Sequence, residues 1–174
     1  MSFFELLKTR RSVRKYSDQT IEPEKVSSII EAALMSPASK RRNPWEFIVV
    51  RQKDILKQIS ESRPNGSQLL ASSPLGIVVI ADTKKSDVWI EDAAIASIIM
   101  QLEAHDMGLG SCWIQIRNRN KNEVTSSESF IKELLNIPDH FAVLSVISIG
   151  YPFEEKPPHD PNSLEKNKVH FDKF

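Results

Sequence analysis

An α+β chain folded as a three-layer α/β/α sandwich is the architecture this sequence predicts, and three observations carry the prediction. Three apolar runs at 45–51 (WEFIVVR), 75–82 (LGIVVIAD) and 142–150 (AVLSVISIG) read as strands, the last two buried on both faces. Segments with helical periodicity lie between them, at lengths that allow crossovers. The chain of 174 residues suits a single domain, which buries roughly 70% of its extended-chain surface without disulfide or metal staples.

Ser2-Phe3-Phe4-Glu5 is a capping box, so a short helix opens the chain and ends near Thr9. Pro23 starts a second helix, in which Val26, Ile29, Ile30, Ala33 and Leu34 form one apolar face before Ser36-Pro37 stops it. A strand at 45–51 and a short helix at 54–60 follow. After the strand at 75–82 comes a long helix over 88–107, capped by Asp87 or Ser86 and ended by Gly108. Its residues Ala93, Ala94, Ile95, Ala96, Ile98, Ile99, Met100 and Leu102 are apolar all the way round, which requires protein on every side. The alanines admit a closely packed backbone, so a helix of a second subunit is expected against it. A strand at 112–116, a helix at 127–135 and the strand ending at Gly150 complete the sandwich.

Residues 1–150 are thus expected as the domain and 151–174 as an arm. The arm holds Pro152, Pro157, Pro158 and Pro161 with scattered Phe153, Leu164, Val169, Phe171 and Phe174. Too sparse for a core, it is either disordered or laid across another surface, and its aromatics favour docking on a partner subunit.

Composition narrows the function. Lys plus Arg and Asp plus Glu both number 23, which disfavours a dedicated nucleic-acid binder. No stretch reaches the ~20 apolar residues of a membrane span, no signal peptide is visible, and the lone Cys112 fits a reducing compartment. A cytoplasmic location with no membrane or nucleic-acid partner is expected. Charge is uneven, however: residues 1–63 carry net +5 and the remainder net −5. The excess sits in Arg10, Arg11, Arg14 and Lys15, and in Lys40, Arg41 and Arg42. Each cluster is either a solvated run or a local attractor for an anion.

Common catalytic signatures are missing: there is no Walker loop, no G-x-G-x-x-G, no G-x-S-x-G and no H-E-x-x-H. The four histidines show no ligand spacing with Cys112, so no metal is expected. With only five glycines, a phosphorylated ligand would have to be held by cationic side chains. An extended Arg10-Arg11-Ser12-Val13-Arg14 places residues 10, 12 and 14 on one face, in a row of guanidinium, hydroxyl and guanidinium suited to phosphate. The outer members of such a row, spaced at about 7 Å per pair of residues, meet different parts of one ligand. The same string also occurs as a kinase site or a simple surface turn.

Several segments together carry a family resemblance: Arg10-Arg11-Ser12-Val13-Arg14-Lys15-Tyr16, Ser36-Pro37-Ala38-Ser39 before Pro44-Trp45, Trp89-x-x-Asp92, Gly108-Leu109-Gly110-Ser111-Cys112-Trp113, and Gly150-Tyr151-Pro152. In this order and spacing the chain resembles the nitroreductase family of FMN-dependent oxidoreductases from residue 3 to 152. The resemblance implies a mixed central sheet and an intertwined homodimer with FMN at its interface. It matches Arg10 and Ser12 to phosphate contacts, with Arg11 in the same segment, and Arg14 to the pyrimidine edge of the flavin. Pro37, Ala38 and Ser39 match a loop given by the other subunit, Asn65 and Gln68 polar contacts to the ring, and Trp113, Ile114 and Gln115 the strand end beside N5. The implied activity passes electrons from NADH or NADPH to a small acceptor such as a nitroaromatic or quinone, in ping-pong fashion. The flavin does the chemistry, no side chain is catalytic, and Arg14 acts electrostatically.

Three departures stand out. Relatives usually carry Asn and Gln where this chain has Arg41, Arg42 and Asn43, and a polar pair where it has Ile98 and Ile99. The tail segment that often holds phosphate is here Asp160-Pro161-Asn162-Ser163, leaving Lys166 or Lys168 as substitutes. The competing readings are a non-catalytic flavin- or anion-binding module, and dehalogenation or flavin cleavage on the same fold.

Overall fold

The computed structural model describes residues 2–174. Helix α1 (Phe3–Thr9) is capped by Ser2, whose hydroxyl oxygen accepts from the Glu5 amide at 3.2 Å. The remaining elements are α2 (Pro23–Leu34), β1 (Trp45–Val50), α3 (Lys53–Ser60), β2 (Leu75–Asp82), α4 (Trp89–Asp106), β3 (Gly110–Gln115), α5 (Ser127–Leu135) and β4 (Phe141–Gly150). All fall within two residues of the expected bounds. The expected side-chain cap of α4 is different in detail: the cap position is Val88, and Ser86 instead accepts from the Val88 amide at 3.3 Å. Gly108 ends this region with φ +78°, a conformation that costs glycine little.

The sheet has the order β1-β2-β4-β3 and every pair is antiparallel. This corrects the expected mixed sheet. Strands β2 and β3 do run the same way, but β4 inserts between them and converts a would-be parallel neighbourhood into two antiparallel ladders. The sole parallel pairing among the described residues is an isolated bridge between Ser12 and Ser111.

Three layers result. One core lies under α2 and α4, where Val26, Ile29, Ala93, Ala96 and Met100 pack on Ile77, Val79 and Ile147. The other lies under α3 and α5, where Leu56, Ile59 and Ile131 pack on Val78, Ile80, Val143 and Val146. Covered on both sides, all residues of β2 and β4 are buried.

Within the single chain helix α4 is enclosed on part of its circumference only, the remainder being the side expected to meet a second subunit. Its Ala-rich face is buried, but Ile95 and Ile98 are 37% and 39% exposed. Phe3, Phe4 and Leu7 of α1 and Leu34 and Met35 at the end of α2 are exposed as well. No helix among the described residues is long and apolar enough to cross a membrane.

The arm leaves β4 through a bridge between Tyr16 and Pro152. Its first part lies along residues 8–16: the Phe153 amide donates to Lys15 O at 2.9 Å and the His159 amide to Lys8 O at 2.8 Å. The rest, with Phe171 and Phe174, is exposed.

Candidate functional site

Strand β3 is the spine of the site. Residues 10–14 run extended beside its start, with the Val13 amide donating to Ser111 O at 2.9 Å. Val13 is buried over Gly110, where a Cβ would stand 2.7 Å from the Val13 Cβ. Only glycine permits this approach.

Alternation then sorts the neighbours as expected. Arg11 and Val13 share a cleft of about 470 Å³ with His105, Gly108 and Glu154, and the Arg11 guanidinium donates to the Pro157 carbonyl of the arm. Arg11 is thus tied to the arm and separated from the row. Arg10, Ser12 and Arg14 do not line that cleft. Among the described residues neither the Arg10 nor the Arg14 guanidinium has a carboxylate at ion-pair distance. Both lie near Cys112: burial pushes its thiol pKa up, and the positive charges of Arg14 and then Arg10 act against that.

Two neighbours temper the charge of the row. His105 is held below the ordinary imidazole range, first by burial and then by Arg10, a shift that disfavours positive charge beside the row. Its Nε2 lies 2.9 Å from the Thr9 hydroxyl. Glu154 accepts from the Arg14 backbone amide at 2.7 Å and pairs with Lys156 at 2.8 Å. Those bonds, the one with Lys156 foremost, keep its carboxyl below the usual range.

At the far end of β3, Ile114 is buried in the core under α3 and α5, while Trp113 and Gln115 share the opposite face and are partly buried, Trp113 against the core under α2 and α4. The Trp113 indole donates to Gln115 Oε1 at 2.9 Å, and the Gln115 amide donates to Arg117 O at 2.9 Å. Arg63 donates to Gln115 O at 3.1 Å, which brings the 63–68 turn to this strand end. Within that turn the Gln68 amide donates to Arg63 O and Pro64 O and accepts from the Gly66 amide. Gln68 therefore shapes the turn, and Asn65 is exposed on it.

The Pro37, Ala38 and Ser39 loop is fixed elsewhere. The Ser39 amide donates to Asp92 Oδ1 at 2.8 Å, and the Ser86 hydroxyl donates to Asp92 Oδ2 at 3.0 Å. Asp92 is 3% exposed in the first turn of α4, where the helix dipole favours its charge. Asp92 lies thirteen positions before His105 on α4, so along the axis the loop and the Arg10 end of the row are about 20 Å apart. The structure brings residues 10–14, the 63–68 turn and 113–115 to one strand, and leaves 37–39 at the other end of the long helix.

Asp92 was legible as part of a pattern but not as a clamp. An acid in a first helical turn is common, and only its burial with Ser39 and Ser86 gives it a role. Replacing Asp92 with alanine orphans both donors and is expected to cost about 2–3 kcal/mol, measured as a lower urea midpoint.

A family model described as the nitroreductase family matches residues 7–65 and 61–151. The chain belongs to the nitroreductase family. A solved structure described as an FMN-dependent nitroreductase from Clostridium difficile R20291 is 47% identical, with a TM-score of 0.98 over 99% of this chain and 100% of that one. A relative from Archaeoglobus fulgidus, provisionally named an NADH dehydrogenase/NAD(P)H nitroreductase, is 36% identical over 97% of both chains. An iodotyrosine deiodinase of Nematostella vectensis is 26% identical over 88% of this chain and 68% of its own length. Flavin oxidoreductase chemistry is thus the family's ground, and FMN its cofactor.

The residues present fit that cofactor. A phosphate ester needs fork-shaped cationic donors without internal carboxylate partners and a hydroxyl beside them, and Arg10, Ser12 and Arg14 offer this set on one face.

Proposed function

We propose that this nitroreductase-family chain is an NAD(P)H-dependent oxidoreductase that works as a homodimer, with nicotinamide and a small acceptor taking turns at one site. The observation that carries the reading is the row of Arg10, Ser12 and Arg14, held extended by β3 and, among the described residues, unpaired with carboxylates. In this reading Arg10 and Ser12 hold the phosphate of FMN, and Arg14 supplies positive potential at the pyrimidine edge. Arg11 stays in the contact segment and braces it against the arm. Asn65 and Gln68, the second through its turn, serve the ring, and Trp113 and Gln115, with the Ile114 backbone between them, form its floor beside β3, the Ile114 side chain lying in the core. Bound FMN supplies two-electron redox chemistry between donor and acceptor. The protein's part is to bind, orient and bias by charge, and no side chain acts as acid or base.

Two features support the dimer. The loop of Pro37, Ala38 and Ser39 is about 20 Å along α4 from Arg10, so a second copy with its α4 antiparallel would bring that loop to the row. The exposed Ile95 and Ile98 on α4, with the apolar residues of α1 and the end of α2, provide the surface for it. Residues 1–150 form the FMN-binding domain, and 151–174 the arm, whose exposed Phe171 and Phe174 would pack on the partner. Lys168 pairs with Glu165 within the arm, leaving Lys166 as the tail candidate for the phosphate.

A dehalogenase reading needs a substrate-specific lid. The 83–88 loop is tied down by bonds from the Lys84 amide to Asp82 Oδ1, the Lys85 amide to Asp82 O and the Val88 amide to Ser86. A segment this short, turned on its own bonds, offers little surface for a lid. The deciding test is anaerobic titration of the purified dimer with NADH and NADPH in turn. Bleaching of the bound flavin by at least one, followed by reoxidation with a quinone or nitroaromatic, is expected. Flavin that neither nicotinamide reduces would end the reading.

A further inference from the structure

The segment 36–45 brings together strained backbone, orphaned polar atoms and a run of cations. Lys40, Arg41 and Asn43 have φ of 50°, 55° and 45°, the left-handed region that side-chain-bearing residues seldom occupy. The turn is held there by the Arg41 amide donating to Ala38 O, the Arg42 amide donating to Ser39 O, and the clamp from Ser39 to Asp92. Its two ends each bury a polar atom without a partner among the described residues, Ser36 Oγ and Trp45 Nε1. Such strain and such orphaned groups gather where a site is built around something else.

The same turn carries three consecutive cations in unequal circumstances. Arg42 is paired with Asp87 at 3.0 Å. Lys40 and Arg41 have no carboxylate at ion-pair distance among the described residues, and both are exposed. The backbone therefore spends conformational strain to present two free positive charges, immediately after the residues assigned to the flavin loop. An exposed lysine needs no such backbone.

From this we infer that Lys40 and Arg41 form an anion-selecting rim at the flavin site, which takes a phosphate or carboxylate group of an incoming reactant. The inference rests on the proposed placement of Pro37, Ala38 and Ser39 beside the cofactor. The anion has two possible sources, the 2′-phosphate that separates NADPH from NADH, and a carboxylate on the acceptor. Both would be drawn in by the same pair of charges, and the attraction weakens with salt because the charges are exposed.

The test measures two ratios of kcat/KM on the flavin-loaded enzyme, NADPH over NADH and 4-nitrobenzoate over the neutral 4-nitrobenzyl alcohol. The variant Lys40→Asn/Arg41→Asn removes both charges while keeping a residue type that tolerates positive φ. At least one ratio is expected to fall by about fivefold, the scale of two exposed charge contacts. The companion Lys40→Arg/Arg41→Lys should retain the wild-type ratio, and raising salt should erode the ratio in the wild type and in this companion but not in the neutral variant. The ratio that moves identifies the source of the anion. Two ratios equal in wild type and the neutral variant would overturn the rim. For the acceptor arm the bound flavin is pre-reduced with a single equivalent of dithionite, none remaining when the nitro compound is added, so a failure of nicotinamide oxidation is told apart from a failure of the rim.

Discussion

Replacing Arg10 with alanine is expected to weaken FMN retention roughly thirtyfold to a hundredfold, the effect of losing a charge-assisted bond of about 2–3 kcal/mol to a phosphate. The purified variant should be pale where the wild type is yellow, and should recover colour only with excess FMN. Because the Arg10 side chain has no ion pair among the described residues, its urea midpoint without cofactor should match the wild type. Arg10→Lys keeps the charge but loses the planar fork, so its affinity is expected between the two. An alanine variant that holds FMN as tightly as the wild type would remove the phosphate from this end of the row.

Gly110→Ala should act on the same segment through packing. The new methyl would meet Val13 Cβ at 2.7 Å and both Val13 methyls at under 3 Å. Val13 is β-branched and buried, so it has no free rotamer into which to retreat. The segment 10–14 must lift from β3, at a cost of about 1–3 kcal/mol for overpacking. The displacement also moves Ser12 from its bridge with Ser111. Loss of stability and loss of flavin are therefore expected together, by urea titration and by absorbance of the purified protein. Arg10→Ala separates these two effects and Gly110→Ala couples them. Were Gly110→Ala to keep full stability, the close approach of the two segments would be refuted.

The helices and strands were readable because each is marked by local chemistry. Ser2 caps α1, Pro23 opens α2, and the β-branched runs of β2 and β4 are too apolar for anything but an enclosed layer. Strand direction has no such mark. Crossover-length connections suggest parallel neighbours, but the insertion of β4 between β2 and β3 depends on long-range pairing that no local segment encodes. The alternation of Arg10, Ser12 and Arg14 against Arg11 and Val13 was legible because an extended chain has a period of two. The bond from Arg11 to Pro157, the self-satisfied Gln68 amide and the Asp92 clamp were not. Each joins residues whose types are ordinary in isolation and acquire meaning only from the neighbour the fold delivers. The left-handed turn at Lys40, Arg41 and Asn43 is a sharper case, since Lys and Arg give no forewarning of positive φ.

The position of β4 bears on how the protein is made. Translation delivers this strand after β1, β2 and β3, yet it occupies an interior place, bonded on one flank to β2 and on the other to β3. Until the ribosome has released it, both of those earlier strands present naked ladder edges, the kind of surface that recruits other unfinished chains. A chain cut short before Phe141 would thus leave β2 and β3 without the strand that joins them and yield sticky fragments.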